Sequence, residues 1–175
     1  LRHVNLKFRI GEKLAIVGMN GSGKTTFIKL LCRLYDPTEG EILLNGVNIR
    51  KYDYDEYMSI FSVVFQDFRL FSFQLGQVVA SGDAFDPARA KECLEKANFG
   101  DRLQSLPDGL HTYLYKNYDE HGVEVSGGEA QKIALARALY KDAPFILLDE
   151  PTAALDPVSE YEVYSNFNAI SGDKT

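Results

Sequence analysis

Apolar residues fall along this 175-residue chain in short runs whose spacing changes from stretch to stretch. Leu1 to Phe8 partly alternates apolar and polar positions, which predicts a half-exposed strand. Leu14-Ala15-Ile16-Val17 is a continuous apolar run that reads as a buried strand, and Thr26 to Leu31 opens an amphipathic helix. A turn cluster, Asp36-Pro37-Thr38-Glu39-Gly40, comes next. Glu41 to Leu44 and Val47 to Ile49 read as short strands around Asn45-Gly46, a pair suited to a type I′ hairpin. Tyr52 to Met58 predicts a short helix, and Ile60 to Phe65 a buried strand ending at Gln66.

The texture changes between Asp67 and about Glu129. Ala90, Leu94 and Ala97 recur at helical spacing, and Asp86-Pro87 supplies an N-cap and a first-turn proline. That stretch predicts a mainly helical insertion at about 67–129, flanked by core segments 1–66 and 130–175. Ser126 then caps a long helix running to about Tyr140. Phe145-Ile146-Leu147-Leu148 is a fully apolar strand, and Asp156-Pro157 starts a last helix. The expected class is α/β, with a mainly parallel sheet, a partial antiparallel β portion and the helical insertion.

Chemistry enters at residues 18–25. Gly18-Met19-Asn20-Gly21-Ser22-Gly23-Lys24-Thr25 is a complete Gly-x-x-x-x-Gly-Lys-Thr phosphate loop, set between the predicted strand and the helix that Thr26 continues. Glycines there let backbone N–H groups turn inward around an anion, and the helix N-terminus already favours phosphate. Lys24 would reach the β- and γ-phosphates, and the Thr25 hydroxyl would ligate Mg²⁺. The pattern predicts a bound nucleoside triphosphate.

The apolar run 145–148 delivers Asp149 and Glu150 at its carboxyl end, where α/β sheets hold their ligands. Asp149 would orient the hydration shell of Mg²⁺, leaving Glu150 to polarise an attacking water. Ser126-Gly127-Gly128-Glu129 puts a good N-cap beside two glycines, so the following helix offers its N-terminus to an anion. Taken alone, that run is no more than a capped helix with a flexible entry.

Bulk properties narrow the class only a little. A hydrophobic content of 45% with 25% charged residues is ordinary for a globular domain. The net charge of −6 argues against a broad nucleic-acid surface, so no nucleic-acid partner is expected. Cys32 and Cys93 have neither Cys-x-x-Cys spacing nor a ligand cluster and read as reduced residues packed in helices. No run approaches the roughly 20 apolar residues of a membrane span. The chain begins at Leu1 and stops at Gly172-Asp173-Lys174-Thr175, which reads as an excerpt of a longer protein.

With these motifs in order, the chain closely resembles the ATP-binding-cassette (ABC) ATPases over nearly its whole length. Gly18 to Thr25 matches that family's Walker A motif, and Phe145 to Glu150 its Walker B motif with the following glutamate. The resemblance implies that Gln66 is the Q-loop glutamine that senses γ-phosphate and Mg²⁺. It also implies that Val125 to Glu129 is the signature segment, usually Leu-Ser-Gly-Gly-Gln, and that Ala154-Leu155-Asp156 is the D-loop. Asp119 to Glu124 and the Gln66-Asp67…Leu70-Phe71 continuation are similar to the exporter branch. In that branch the domain is usually fused behind six membrane helices and works at the cytoplasmic face of the cell membrane. There two such domains sandwich two ATP molecules, each ATP lying on the phosphate loop of one and under Ser126-Gly127-Gly128 of the other. The implied partners are therefore a second nucleotide-binding domain and a transmembrane domain, and the implied activity is Mg²⁺-dependent ATP hydrolysis with Glu150 as base.

Departures from the family pattern are few. Glu129 stands in place of the signature glutamine and Val125 in place of its leucine. The family's adenine-stacking aromatic would lie upstream of Leu1 and its switch histidine beyond Thr175; His3, His111 and His121 are in the wrong places for that role. The 175 residues alone are accordingly expected to bind nucleotide weakly and hydrolyse it poorly. Two other readings stay open: a soluble ABC ATPase acting on DNA or ribosomes, and a low-turnover, nucleotide-gated half of an asymmetric transporter. No heptads for a coiled coil separate the phosphate loop from Ser126, which counts against the chromosome type of the former.

Overall fold

The computed structural model describes residues 1–19, 21–150 and 174–175. Helix α1 spans Lys24–Leu31 and is followed by a hairpin of β1 (Leu43–Leu44) and β2 (Val47–Asn48). Asn45 and Gly46 carry φ of 51° and 78°, the two positive values that a type I′ turn requires. Leu44 pairs with Val47 and Leu43 with Asn48, the antiparallel register that a two-residue loop dictates.

Helix α2 (Tyr54–Ser59) is capped by Asp53, whose carboxylate accepts from the N–H groups of Asp55 and Glu56. It leads into β3 (Phe61–Val64), which pairs in parallel with β4 (Phe145–Leu148). Between them lie α3 (Leu75–Ala80), α4 (Pro87–Lys96), α5 (Gly100–Ser105) and the long α6 (Gly127–Lys141). Asp86 caps α4 as the sequence predicts, accepting from Ala88 and Arg89. The region expected to be a helical insertion therefore contains three α-helices and a short 3-10 turn, Gly109–His111, before α6; α3 and α5, each six residues long, are too short for periodicity to reveal.

Helix α6 lies between two cores. One side meets Leu75, Val79, Leu94, Phe99 and Leu103 through Ile133, Leu135 and Leu139. Another side brings Ala134 and Ala138 against Val64 of β3. Alanines on that side let the helix backbone approach the sheet closely, and apolar burial on two faces is what a central helix requires. A third cluster packs Ile28 and Cys32 against Tyr57, Phe61 and Phe145, tying the phosphate-loop helix to the start of β3 and β4.

The two amino-terminal strands are not formed. Residues 1–8 and 14–17 lie in no ladder, and Leu14, Ile16 and Val17 are exposed. Strand formation needs a neighbour for the backbone N–H and C=O groups as well as a suitable apolar run. The free edge of β4 is met instead by Thr175, which accepts from the Ile146 N–H at 2.8 Å and donates to the Pro144 carbonyl at 3.1 Å. A cleft of about 2210 Å³ lies alongside, lined by Leu6, Leu14, Ile16, Ile28, Ile146 and Leu148 among others. The expected mainly parallel sheet is thus represented among the described residues by one parallel pair and one antiparallel pair. The helix expected from Asp156-Pro157 lies outside the described residues.

Candidate nucleotide site

The parallel register of β3 and β4 sets the centre of the site. Val64 lies opposite Leu148, so the two chains leave the sheet side by side, one toward Gln66 and the other toward Asp149 and Glu150. The Asp149 N–H donates to the Val64 carbonyl at 2.9 Å, extending the ladder by one step. Glu150 then turns out of it with φ of 50°. Gln66 Nε2 donates to Glu150 Oε2 at 2.9 Å, closing a link across 84 residues of sequence.

The phosphate loop meets this pair from the other side. Gly21 and Gly23 take φ of 80° and 95°, in the left-handed region that favours glycine, and α1 starts immediately after. Lys24 Nζ lies 3.3 Å from Glu150 Oε1 and donates to the carbonyls of Gly18 at 2.9 Å and Met19 at 3.3 Å. Thr25 is half-buried in the first turn of α1, while Gly18, Met19, Gly21, Ser22 and Thr26 face solvent. Asn20 lies outside the described residues, as does the segment Ala154-Leu155-Asp156.

Asp149 is 3% exposed, and its Oδ2 has no hydrogen-bond partner among the described residues. A buried carboxylate oxygen without a partner is costly unless a cation or a hydrated ion completes it. An orphaned carboxylate oxygen of this kind suits a hydrated Mg²⁺, the ion that Asp149 is expected to hold together with Thr25 and Gln66. Among the described residues no cluster of three His, Cys, Asp or Glu side chains forms a metal site of another kind.

Ser126, Gly127, Gly128 and Glu129 form the opening turn of α6, with Ser126 and Gly127 exposed. The Ser126 hydroxyl accepts from the Glu129 N–H at 3.2 Å, and Glu129 Oε2 accepts from the Ser126 N–H at 2.7 Å, a complete capping box. Gly127 also lines a pocket of about 530 Å³ with Gln66, Gln131 and Glu150. Burial pushes the Glu129 carboxyl up, but the two hydrogen bonds with Ser126 and the nearby Arg102 guanidinium together bring it below its ordinary value.

Two residues of this region carry no motif and were not readable from the sequence. Gln131, 6% exposed on α6, directs its amide toward the Glu150 carbonyl at 3.5 Å. Arg102, on α5, pairs with Glu129. Its approach depends on the packing of α5, for which the sequence holds no local signal. His3, His111 and His121 all lie on the surface; His111 Nδ1 is 3.1 Å from Gln74 Oε1, away from the phosphate loop.

Residues 1–153 match the family model described as "ABC transporter". The chain is 42% identical over 175 residues to an ATP-dependent lipid A-core flippase of Burkholderia orbicola (strain AU 1054), covering 100% of this chain and 29% of that protein. It is likewise 42% identical over 177 residues to the subtilin transport ATP-binding protein SpaT of Bacillus subtilis, covering 99% of this chain and 29% of that protein. A solved bacterial Atm1-family ABC exporter with ATP bound superposes with a TM-score of 0.80 at 34% identity, over 90% of this chain and 27% of that one. The chain therefore spans under a third of the length of the relatives it matches.

Proposed function

The chain belongs to the ABC transporter family, as an ATP-binding domain with the ABC ATPase fold, and on that premise we propose that it hydrolyses ATP to power a membrane exporter. The observation that carries this reading is the convergence of Lys24, Gln66 and Glu150 at the carboxyl ends of β3 and β4, beside the buried Asp149. In it, backbone N–H groups of residues 18–23 and the N-terminus of α1 cradle the β- and γ-phosphates, and Lys24 neutralises charge as the β–γ bond breaks. Thr25, Gln66 and Asp149 would hold Mg²⁺, which would supply Lewis-acid stabilisation of charge on the phosphate oxygens. Glu150 takes a proton from the attacking water, and Gln66, already bonded to its carboxylate, orients it.

Residues 1–66 and 130–175 serve in this reading as the catalytic core, with about 67–129 as an inserted helical subdomain. Ser126, Gly127 and Gly128, at the exposed opening turn of α6, cover ATP held by a second such domain in this reading. Closure of two domains around two ATP molecules then drives a transmembrane domain at the cytoplasmic face of the membrane, a ligand-biased two-state change. Relatives named for a lipid A-core flippase and for subtilin transport favour this over a soluble ABC ATPase acting on DNA or ribosomes. An intact Glu150, a carboxylate able to accept a proton next to the phosphate loop, favours a hydrolytic site over a low-turnover gated one.

Lys24→Ala in the full-length protein tests the reading. ATP binding is expected to weaken by about tenfold or more, with loss of Mg²⁺-dependent turnover and of transport in reconstituted vesicles. Unchanged binding and turnover would overturn it.

A further inference from the structure

The opening turn of α6 holds a carboxylate where the reading above brings a phosphate. Glu129 is the third residue of α6, and its side chain folds back over the exposed helix N-terminus to reach the Ser126 N–H. A helix N-terminus attracts one anion well, but a fixed carboxylate beside it repels a second. Left alone, Glu129 would compete with the γ-phosphate for the same turn.

Arg102 changes that balance. Its Nε lies 2.7 Å from Glu129 Oε1, while Glu129 Oε2 is taken by the Ser126 N–H. Both carboxylate oxygens are thereby held, one by a cation and one by the cap. Arg102 is itself set in place: Leu103 beside it is buried in the helical core, Phe99 at the start of α5 is 1% exposed, and the Ser105 hydroxyl accepts from its Nη1 at 3.2 Å. The Nε–H is not aligned for an ideal hydrogen bond to Glu129, so charge rather than hydrogen-bond geometry dominates the contact.

We propose that Arg102 is a positioning residue for the ATP site: it neutralises and pins Glu129, keeping the N-terminus of α6 able to receive the γ-phosphate of ATP bound to a second domain. The proposal rests on the reading that Ser126, Gly127 and Gly128 cover that phosphate. It makes Arg102 matter only while residue 129 carries a charge, so the two side chains must be energetically coupled.

Steady-state ATPase kinetics of the full-length protein test it, with Arg102→Met made in the native background and in a Glu129→Gln background. In the native background KM for MgATP is expected to rise and kcat/KM to fall by about fivefold or more. In the Glu129→Gln background the same substitution is expected to cost less than about twofold, because no charge remains to be neutralised. Arg102→Lys, which keeps the charge, recovers most of the loss and covers the case in which the methionine variant folds poorly. Equal losses from Arg102→Met in both backgrounds, or a loss with lysine as large as with methionine, would assign Arg102 a merely structural role and overturn the proposal. Gly127→Asp separates the proposal from its premise. If it abolishes turnover while Arg102→Met has no effect, the Arg102 assignment alone is wrong; if it leaves turnover intact, the signature reading falls and the proposal with it.

Discussion

Glu150 gathers the side chains that sequence motifs place far apart: Lys24 arrives from the phosphate loop, Gln66 from the end of β3, and both end on its carboxylate. Elsewhere, single residues are defined by burial rather than by partners. Cys32 is fully buried, and burial pushes its thiol up to about 11; Cys93 is also buried and also raised by desolvation. The reactive thiolate is thus scarce at both positions near neutral pH. Alkylation at pH 8 followed by peptide mass mapping is expected to leave both cysteines unmodified in the folded protein and to label both after denaturation. Rapid labelling of Cys32 in the native state would contradict its place between α1, Tyr57 and Phe61.

Caps and core contacts set the strength of individual elements. Asp86 satisfies two N–H groups of α4, so Asp86→Ala is expected to cost about 1 kcal/mol in equilibrium unfolding. Leu94, fully buried on the same helix, is expected to cost about 2–5 kcal/mol on truncation to alanine, the larger loss because it opens a cavity. Legibility divides along the same line. Helices α4 and α6 were readable because Asp86-Pro87 and Ser126 mark their starts, and the hairpin because Asn45-Gly46 fixes its turn. The run Phe145 to Leu148 emerged as β4 with its predicted bounds. The run Leu14 to Val17 has as good a pattern and forms no strand, because a strand also depends on a neighbour that its own residues do not specify. The phosphate loop, Asp149 and Glu150 announce themselves as contiguous motifs, whereas Arg102 and Gln131 reach their positions only through the packing of α5 and α6.

For the molecule as a whole, charge and catalysis can be tested separately. Glu129 and Asp142 both have carboxyls held below their ordinary values, Asp142 chiefly by its hydrogen bond to Lys174. A folded-state value below the unfolded one adds stability that is complete above the unfolded value and lost as pH falls through the folded one. Denaturant midpoints are therefore expected to hold level, as far as these groups go, down to about pH 4.5 and to decline below it. Arg102→Met should flatten part of that decline by removing one cause of the Glu129 shift. The central claim concerns Glu150, and Glu150→Gln in the full-length protein tests it with ATP binding measured by titration and turnover measured at saturating MgATP. ATP affinity retained with turnover reduced by about 100-fold or more is the predicted result, since the amide keeps the contact to Gln66 but cannot accept a proton. Turnover that persists unchanged in the glutamine variant would contradict the assignment of Glu150 as the base.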